Sequence, residues 1–170
     1  MRHTITVLVE NEFGVLTRVA GLFSARGYNI ETLNVAPLQD KTISRMTLVT
    51  RGDEHVIEQI KKQLNKLIPV IKVEDISHAV HLERGMLMVK VNTDPEHADA
   101  EQVAALQDVI DRHAGRVIED HRDSHMIIEF TNQAERLDTT LEELAPFKLI
   151  ETTRTGPLGM RRGADGFVVT

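Results

Sequence analysis

The turn Asn11-Glu12-Phe13-Gly14 joins an apolar strand to an amphipathic helix, and Arg26-Gly27-Tyr28-Asn29-Ile30 leads that helix into a second strand. A helix opening on a glycine-bearing turn has first amides without intrahelical acceptors, and such a terminus attracts a carboxylate or a phosphate. The pattern predicts a small-ligand pocket. Asn11 is also an ordinary turn residue, and Gly27 suits a plain left-handed cap. Asn29 is harder to account for that way, because Asn is depleted in strands.

Other chemistries lack their residues. There is no Cys, so neither a disulfide framework nor a thiolate zinc site is available. No phosphate-loop or dinucleotide glycine pattern occurs, and Ser24, Ser44, Ser77 and Ser124 sit in no nucleophile-elbow context. Glu142-Glu143 and Asp120 with Asp123 read as solvated carboxylates. Of the eight His, the pairs His78 with His81 and His121 with His125 have spacings that invite a metal reading. His78 and His81, three apart on a strand, point to opposite faces; His121 and His125 flank a predicted turn with no evident third ligand. No metal site is therefore expected, and His113 is expected as a partly exposed residue at a helix end. With 26 acidic against 20 basic residues, the net charge of −6 speaks against nucleic acid. No Trp and one Tyr leave little for base stacking. No apolar run reaches the ~20 residues needed to cross a bilayer, and nothing at the N-terminus resembles a secretory signal, so a cytoplasmic location is expected.

The elements that would carry the turn follow from periodicity. Ile5, Val7 and Val9 alternate with Thr4, Thr6 and Leu8 as a strand. Leu16, Val19, Ala20 and Phe23 repeat at helical spacing until Gly27. Residues 28–36 are extended, with Pro37 as their end and a parity slip that predicts a bulge near Asn29 to Thr32. A third strand carries Met46 and Leu48. Asp53 caps a helix with Val56, Ile57, Ile60, Leu64 and Leu67 inward, and Ile71 with Val73 mark a fourth strand. The order β-α-β-β-α-β places two helices on one face of a four-stranded antiparallel sheet.

The second half repeats that order: a strand over 82–91, a helix over 99–113 stopped by Gly115, and two strands flanking Arg122-Asp123-Ser124. A helix capped by Asn132 with Leu137, Leu141 and Leu144 inward follows, then a strand over 147–152. The predicted fold is α+β, two tandem ferredoxin-like βαββαβ domains over 1–77 and 78–155, with a flexible tail over 156–170 that carries Arg161 and Arg162.

The chain resembles the small regulatory subunits of acetolactate synthase, also called acetohydroxyacid synthase. The resemblance rests on Val9-Glu10-Asn11-Glu12, Gly14-Val15-Leu16-Thr17-Arg18-Val19, Gly21-Leu22-Phe23-Ser24, Arg26-Gly27-Tyr28-Asn29-Ile30-Glu31, Val35-Ala36-Pro37 and Ser44-Arg45-Met46-Thr47. It is dense over residues 2–76, where it implies an ACT domain, and looser through Glu83-Arg84, Met88-Val89-Lys90-Val91 and Thr153-Arg154-Thr155-Gly156.

The resemblance implies a subunit without catalysis of its own that activates a thiamine-diphosphate-dependent catalytic subunit and makes it sensitive to valine, or to leucine or isoleucine. It implies a homodimer through the ACT domains. Asn11 and Gly14 of one copy would face Asn29 and Ile30 of the other across the amino acid. Thiamine diphosphate, Mg²⁺ and FAD would belong to the catalytic partner. The residue types agree: two Asn side chains offer donors and acceptors without a fixed charge, and an isopropyl group against Val15, Leu16 or Ile30 contributes about 1.5 to 3 kcal/mol. The alternatives are a stand-alone ACT sensor for another enzyme and a metal-responsive regulator.

Overall fold

The computed structural model describes residues 1–96, 98–121 and 123–169. Two compact units divide the chain: Met1–Glu83 with the segment from Gly156 onward, and Arg84–Thr155.

In the first unit, the alternating run becomes β1 (Arg2–Glu10), and the turn after it delivers α1 (Val15–Ser24). Gly27, at φ 70°, turns the chain out of α1, with the Tyr28 amide donating to the Phe23 carbonyl at 3.0 Å. Then come β2 (Ile30–Pro37), β3 (Ile43–Arg51), α2 (Glu54–Leu64) and β4 (Val70–Asp75). The sheet order β2-β3-β1-β4 is that of the ferredoxin-like sandwich. Asp53 caps α2 by accepting from the Val56 amide at 2.8 Å. The register of β2 on β3 shifts between Ile30 and Thr32, at the expected bulge. Ile5, Val7 and Val9 pack with Val19, Phe23, Ile60 and Leu64 in one core.

β1 is buried on its second face as well: Thr4, Thr6 and Leu8 are at most 1% exposed. The cover is the C-terminal segment, expected as a flexible tail. Leu158–Arg161 is a strand, β9, that pairs β5 (His81–Asn92), whose first residues belong to this unit. Arg45 donates to the Gly159 carbonyl at 2.6 Å, Asn34 to that of Pro157 at 3.0 Å, and Arg161 pairs with Glu74 at 2.8 Å. Farther along, the Phe167 ring lies 5.3 Å from both the Arg45 guanidinium and the Lys72 ammonium. Gly159 fits only because it is bare, since a Cβ there would stand 2.5 Å from Ile76 Cδ1. The segment is held because the sheet offers Asn34, Arg45, Lys72 and Glu74 as polar and charged partners. Composition alone, rich in Gly and Arg, hides that.

The second unit continues β5 into α3 (Ala100–Arg112), β6 (Arg116–His121), β7 (His125–Asn132), α4 (Ala134–Leu144) and β8 (Leu149–Arg154), with sheet order β6-β7-β5-β8. Leu87, Val89, Leu106, Ile110, Ile128 and Phe130 form its core. Asp99 and Gln102 make a reciprocal capping box at the start of α3.

Three local expectations change. Asn132 does not cap α4; Gln133 stands at that position, and Asn132 Oδ1 accepts from the Gln133 amide at 2.9 Å. Gly115 is not the left-handed stop of α3. Ala114 takes that conformation at φ 52°, and Gly115 is bare to clear the Phe130 ring. His113 is buried rather than partly exposed: Nδ1 lies 3.0 Å from Thr140 Oγ1, and Nε2 is 3.1 Å from Glu143 Oε1, off the line of a hydrogen bond. Glu143, read as solvated, also takes Arg112 at 2.6 Å. Arg122 lies outside the described residues. Among the described residues, no helix is long and apolar enough to cross a membrane.

Candidate ligand-binding site

Asn11 follows directly on β1 and is tied to the β2–β3 turn. Its amide donates to the Thr42 carbonyl at 2.7 Å, and its Nδ2 to the Lys41 carbonyl at 2.9 Å. That turn is itself braced, because Asp40 Oδ1 accepts from the Thr42 amide at 2.9 Å and from its hydroxyl at 2.7 Å. Those two bonds, the hydroxyl's first, hold the Asp40 carboxyl below the usual carboxylate range. Asp40 and Thr42 escape the sequence reading; a short Asp-Lys-Thr turn was their only signal.

Gly14 occupies the N-cap of α1 at φ 83°, a conformation that favours glycine. It has no side chain to accept from the first helical amides, and the first turn of α1 holds no acidic residue. The dipole of this end is therefore not answered by a side chain within the helix, and a carboxylate placed there gains about 0.3 to 1 kcal/mol. The Val15 side chain turns into the core at 4% exposure, away from a ligand at the turn, and its amide donates to the Glu12 carbonyl at 3.4 Å. Leu16 is 47% exposed and can offer its isobutyl group.

Asn29 and Ile30 belong to the far end of the same sheet. Thr50 Oγ1 donates to the Asn29 carbonyl at 2.6 Å, which leaves the exposed Asn29 side chain uncommitted by that bond. Ile30 pairs Thr50, and Thr50 pairs His3; Glu10, next to Asn11, pairs Ile43. Seven residues of β1 separate the two levels, or about 23 Å at the usual strand rise. One chain thus brings Asn11, Gly14 and Leu16 together and holds Asn29 with Ile30 apart from them. β2 is an edge strand of its sheet.

The histidines are also placed. His3, 1% exposed, has Nδ1 3.0 Å from Asp75 Oδ2, and Asp75 accepts through Oδ1 from the Ser77 amide at 2.9 Å and hydroxyl at 2.5 Å. Burial pushes the Asp75 carboxyl up, but the Ser77 hydroxyl and amide together with His3 outweigh it, and the group titrates below the carboxylate range. His81 turns to Glu83, at 3.4 Å. His121 and His125, expected to lack a third ligand, both meet Glu119.

Similarity to known proteins covers both units. The AHAS small subunit-like ACT domain matches residues 5–72, and the model described as small subunit of acetolactate synthase matches residues 84–163. The probable acetolactate synthase small subunit of Methanothermobacter thermautotrophicus is 43% identical over 95% of this chain and 94% of its own length. The acetolactate synthase isozyme 3 small subunit of Escherichia coli is 41% identical over 96% and 97%. The crystal structure of the acetolactate synthase small subunit from Thermotoga maritima superposes with a TM-score of 0.84 at 30% identity, over 97% of this chain and 99% of that one. An ACT unit with an uncapped glycine turn, followed by a second unit of the same strand order, is thus matched end to end, and this chain belongs to the acetolactate synthase small-subunit family.

Proposed function

We propose that this chain is the regulatory subunit that activates a thiamine-diphosphate-dependent catalytic subunit of acetolactate synthase and makes it subject to feedback inhibition by valine, or by leucine or isoleucine. The observation that carries the reading is the Gly14 terminus of α1. It presents amides and a dipole with no acid of its own, beside the exposed side chains of Asn11 and Leu16. A free amino acid supplies the matching parts: a carboxylate for the amides, an ammonium for the Asn carbonyl, and a branched alkyl group for Leu16.

In this reading the pocket is completed by a second copy. Asn29 and Ile30 lie about 23 Å along the sheet from Asn11, and pairing of two ACT units across their β2 edges would bring them to the turn of the partner. Ligand then favours one dimer geometry, and the catalytic subunit responds through a coupling of about 1 to 3 kcal/mol. Thiamine diphosphate, Mg²⁺ and FAD belong to that partner, and this chain contributes no catalytic group.

The test is reconstitution with the catalytic subunit of the same organism. The isolated chain is expected to form no acetolactate from pyruvate. Added to its partner, it is expected to raise turnover and confer inhibition by valine. Unchanged turnover at saturating small subunit would overturn the reading.

A further inference from the structure

The geometry points to a divalent transition-metal site at the tip of the β6–β7 hairpin, formed by Glu119, His121 and His125, with zinc the ion its donors fit. The site is built by a strand irregularity. Val117 pairs Ile128 and packs on the core of its unit, whereas Glu119 pairs Ile127; the register shifts between them. Strand alternation alone would send Glu119 and His121 to the core side with Val117. The bulge turns both outward, where His121 stands directly opposite His125.

Three donor atoms converge as a result. Glu119 Oε1 lies 2.9 Å from His121 Nε2 and 3.1 Å from His125 Nε2, and the two rings are 5.2 Å apart between centroids. One ligand atom from each residue lies within 4.8 Å of the others. Zinc bonds of about 2.0 to 2.2 Å to imidazole nitrogen and carboxylate oxygen imply donor separations of about 3.3 Å in a tetrahedron, so the two Glu119–His separations need open only by tenths of an ångström. Ser124 Oγ stands 3.0 Å from His125 Nδ1. Its oxygen can accept from Nδ1–H, which fixes the tautomer that leaves the Nε2 lone pair for the metal. His121 is 61% exposed, so water completes the coordination shell. Two imidazoles and a carboxylate suit zinc, nickel or copper far better than magnesium or calcium. The ion would tie the edge strand β6 to β7 beside their turn.

The full-length chain, stripped of metal with a chelator, is titrated with Zn²⁺ against a chromophoric competitor. One equivalent per chain is expected. His121→Gln, His125→Gln and Glu119→Gln should each weaken uptake at least tenfold, while His78→Gln, beside the His3–Asp75 pair, should leave it unchanged. Cobalt, added to the unsubstituted protein, should give the intense visible bands of a low-coordinate site that the aqueous ion lacks. No stoichiometric uptake, uptake indifferent to the three substitutions, loss on His78→Gln, or a cobalt spectrum like that of the aqueous ion would each overturn the proposal.

Discussion

Gly115 lies against the ring of Phe130, and three ring atoms leave no room for a methyl group: a Cβ on Gly115 would overlap Cε1 and stand 2.9 Å from Cδ1 and 3.0 Å from Cζ. Phe130 is 1% exposed and packed among Leu87, Ile128 and Leu137, so its ring has nowhere to go. Gly115→Ala is therefore expected to lower stability by about 1 to 3 kcal/mol, as overpacking of a closed core does. Urea unfolding of the full chain measures it, and an unchanged midpoint would show that the ring yields freely.

The neighbouring position has the opposite sign. Ala114 is exposed and sits at φ 52°, a region that costs a non-glycine residue about 1 to 2 kcal/mol. Its methyl group is on the surface, so removing it forfeits little packing. Ala114→Gly relieves the strain but frees the unfolded chain, at a cost of about 0.4 to 1 kcal/mol. The net expectation is a gain of roughly 0.5 to 1 kcal/mol, read as a higher urea midpoint with unchanged slope.

That pair also shows what periodicity can and cannot place. The end of α3 at 113–115 is legible from a lone Gly after a helical stripe, but which residue turns left-handed depends on Phe130, which arrives from β7. The same limit applies elsewhere. The bulge in β2 is legible because Ile30 and Leu33 break parity within one segment, whereas the bulge in β6 is set by pairing with β7 and gives no comparable local sign. Asn11 and Gly14 stand out because turn chemistry is local. The brace of the Asp40–Thr42 turn behind Asn11 and the cover of β1 by β9 are long-range, and the meeting of Glu119 with two His, though close in sequence, depends on the bulge that pairing with β7 imposes; only the folded chain displays them.

Acid should weaken the first unit through two carboxylates. Asp75 is held by Ser77 and His3, and Glu83 by a two-pronged contact with Arg2 at 2.7 and 3.2 Å and by the Thr4 hydroxyl. In both, burial raises the pKa and the bonds more than reverse it, so each titrates below its ordinary value when folded. A depressed folded pKa means stability that is complete above the unfolded values, about 3.9 for Asp and 4.3 for Glu, and lost as pH falls from there through the folded values. The urea midpoint should hold steady from pH 7 to about 5 and then drop. Asp75→Asn should lower it at pH 7 and flatten the drop; a variant with the same steep acid limb would remove Asp75 from this account.

The separation of Asn11 from Asn29 allows a complementation test of the proposed ligand site. If each pocket takes Asn11 from one copy and Asn29 from the other, every pocket in an Asn11→Ala homodimer carries one defect, and so does every pocket in an Asn29→Ala homodimer. A mixed dimer differs, because one of its pockets collects both substitutions and the other collects neither. Equal amounts of the two variants, unfolded together and refolded, should therefore recover about one quarter of the native valine sites at native affinity, by random pairing of a twofold dimer. Each variant alone should bind valine more weakly by about 1 to 3 kcal/mol, since a ligand group loses its partner. Asn11 is exposed and its two bonds go to turn carbonyls, so the fold should survive the substitution. Calorimetry counts the recovered sites. Full-affinity binding by either variant alone would exclude that Asn from the pocket, and no recovery on mixing would overturn a pocket shared between Asn11 of one copy and Asn29 of the other.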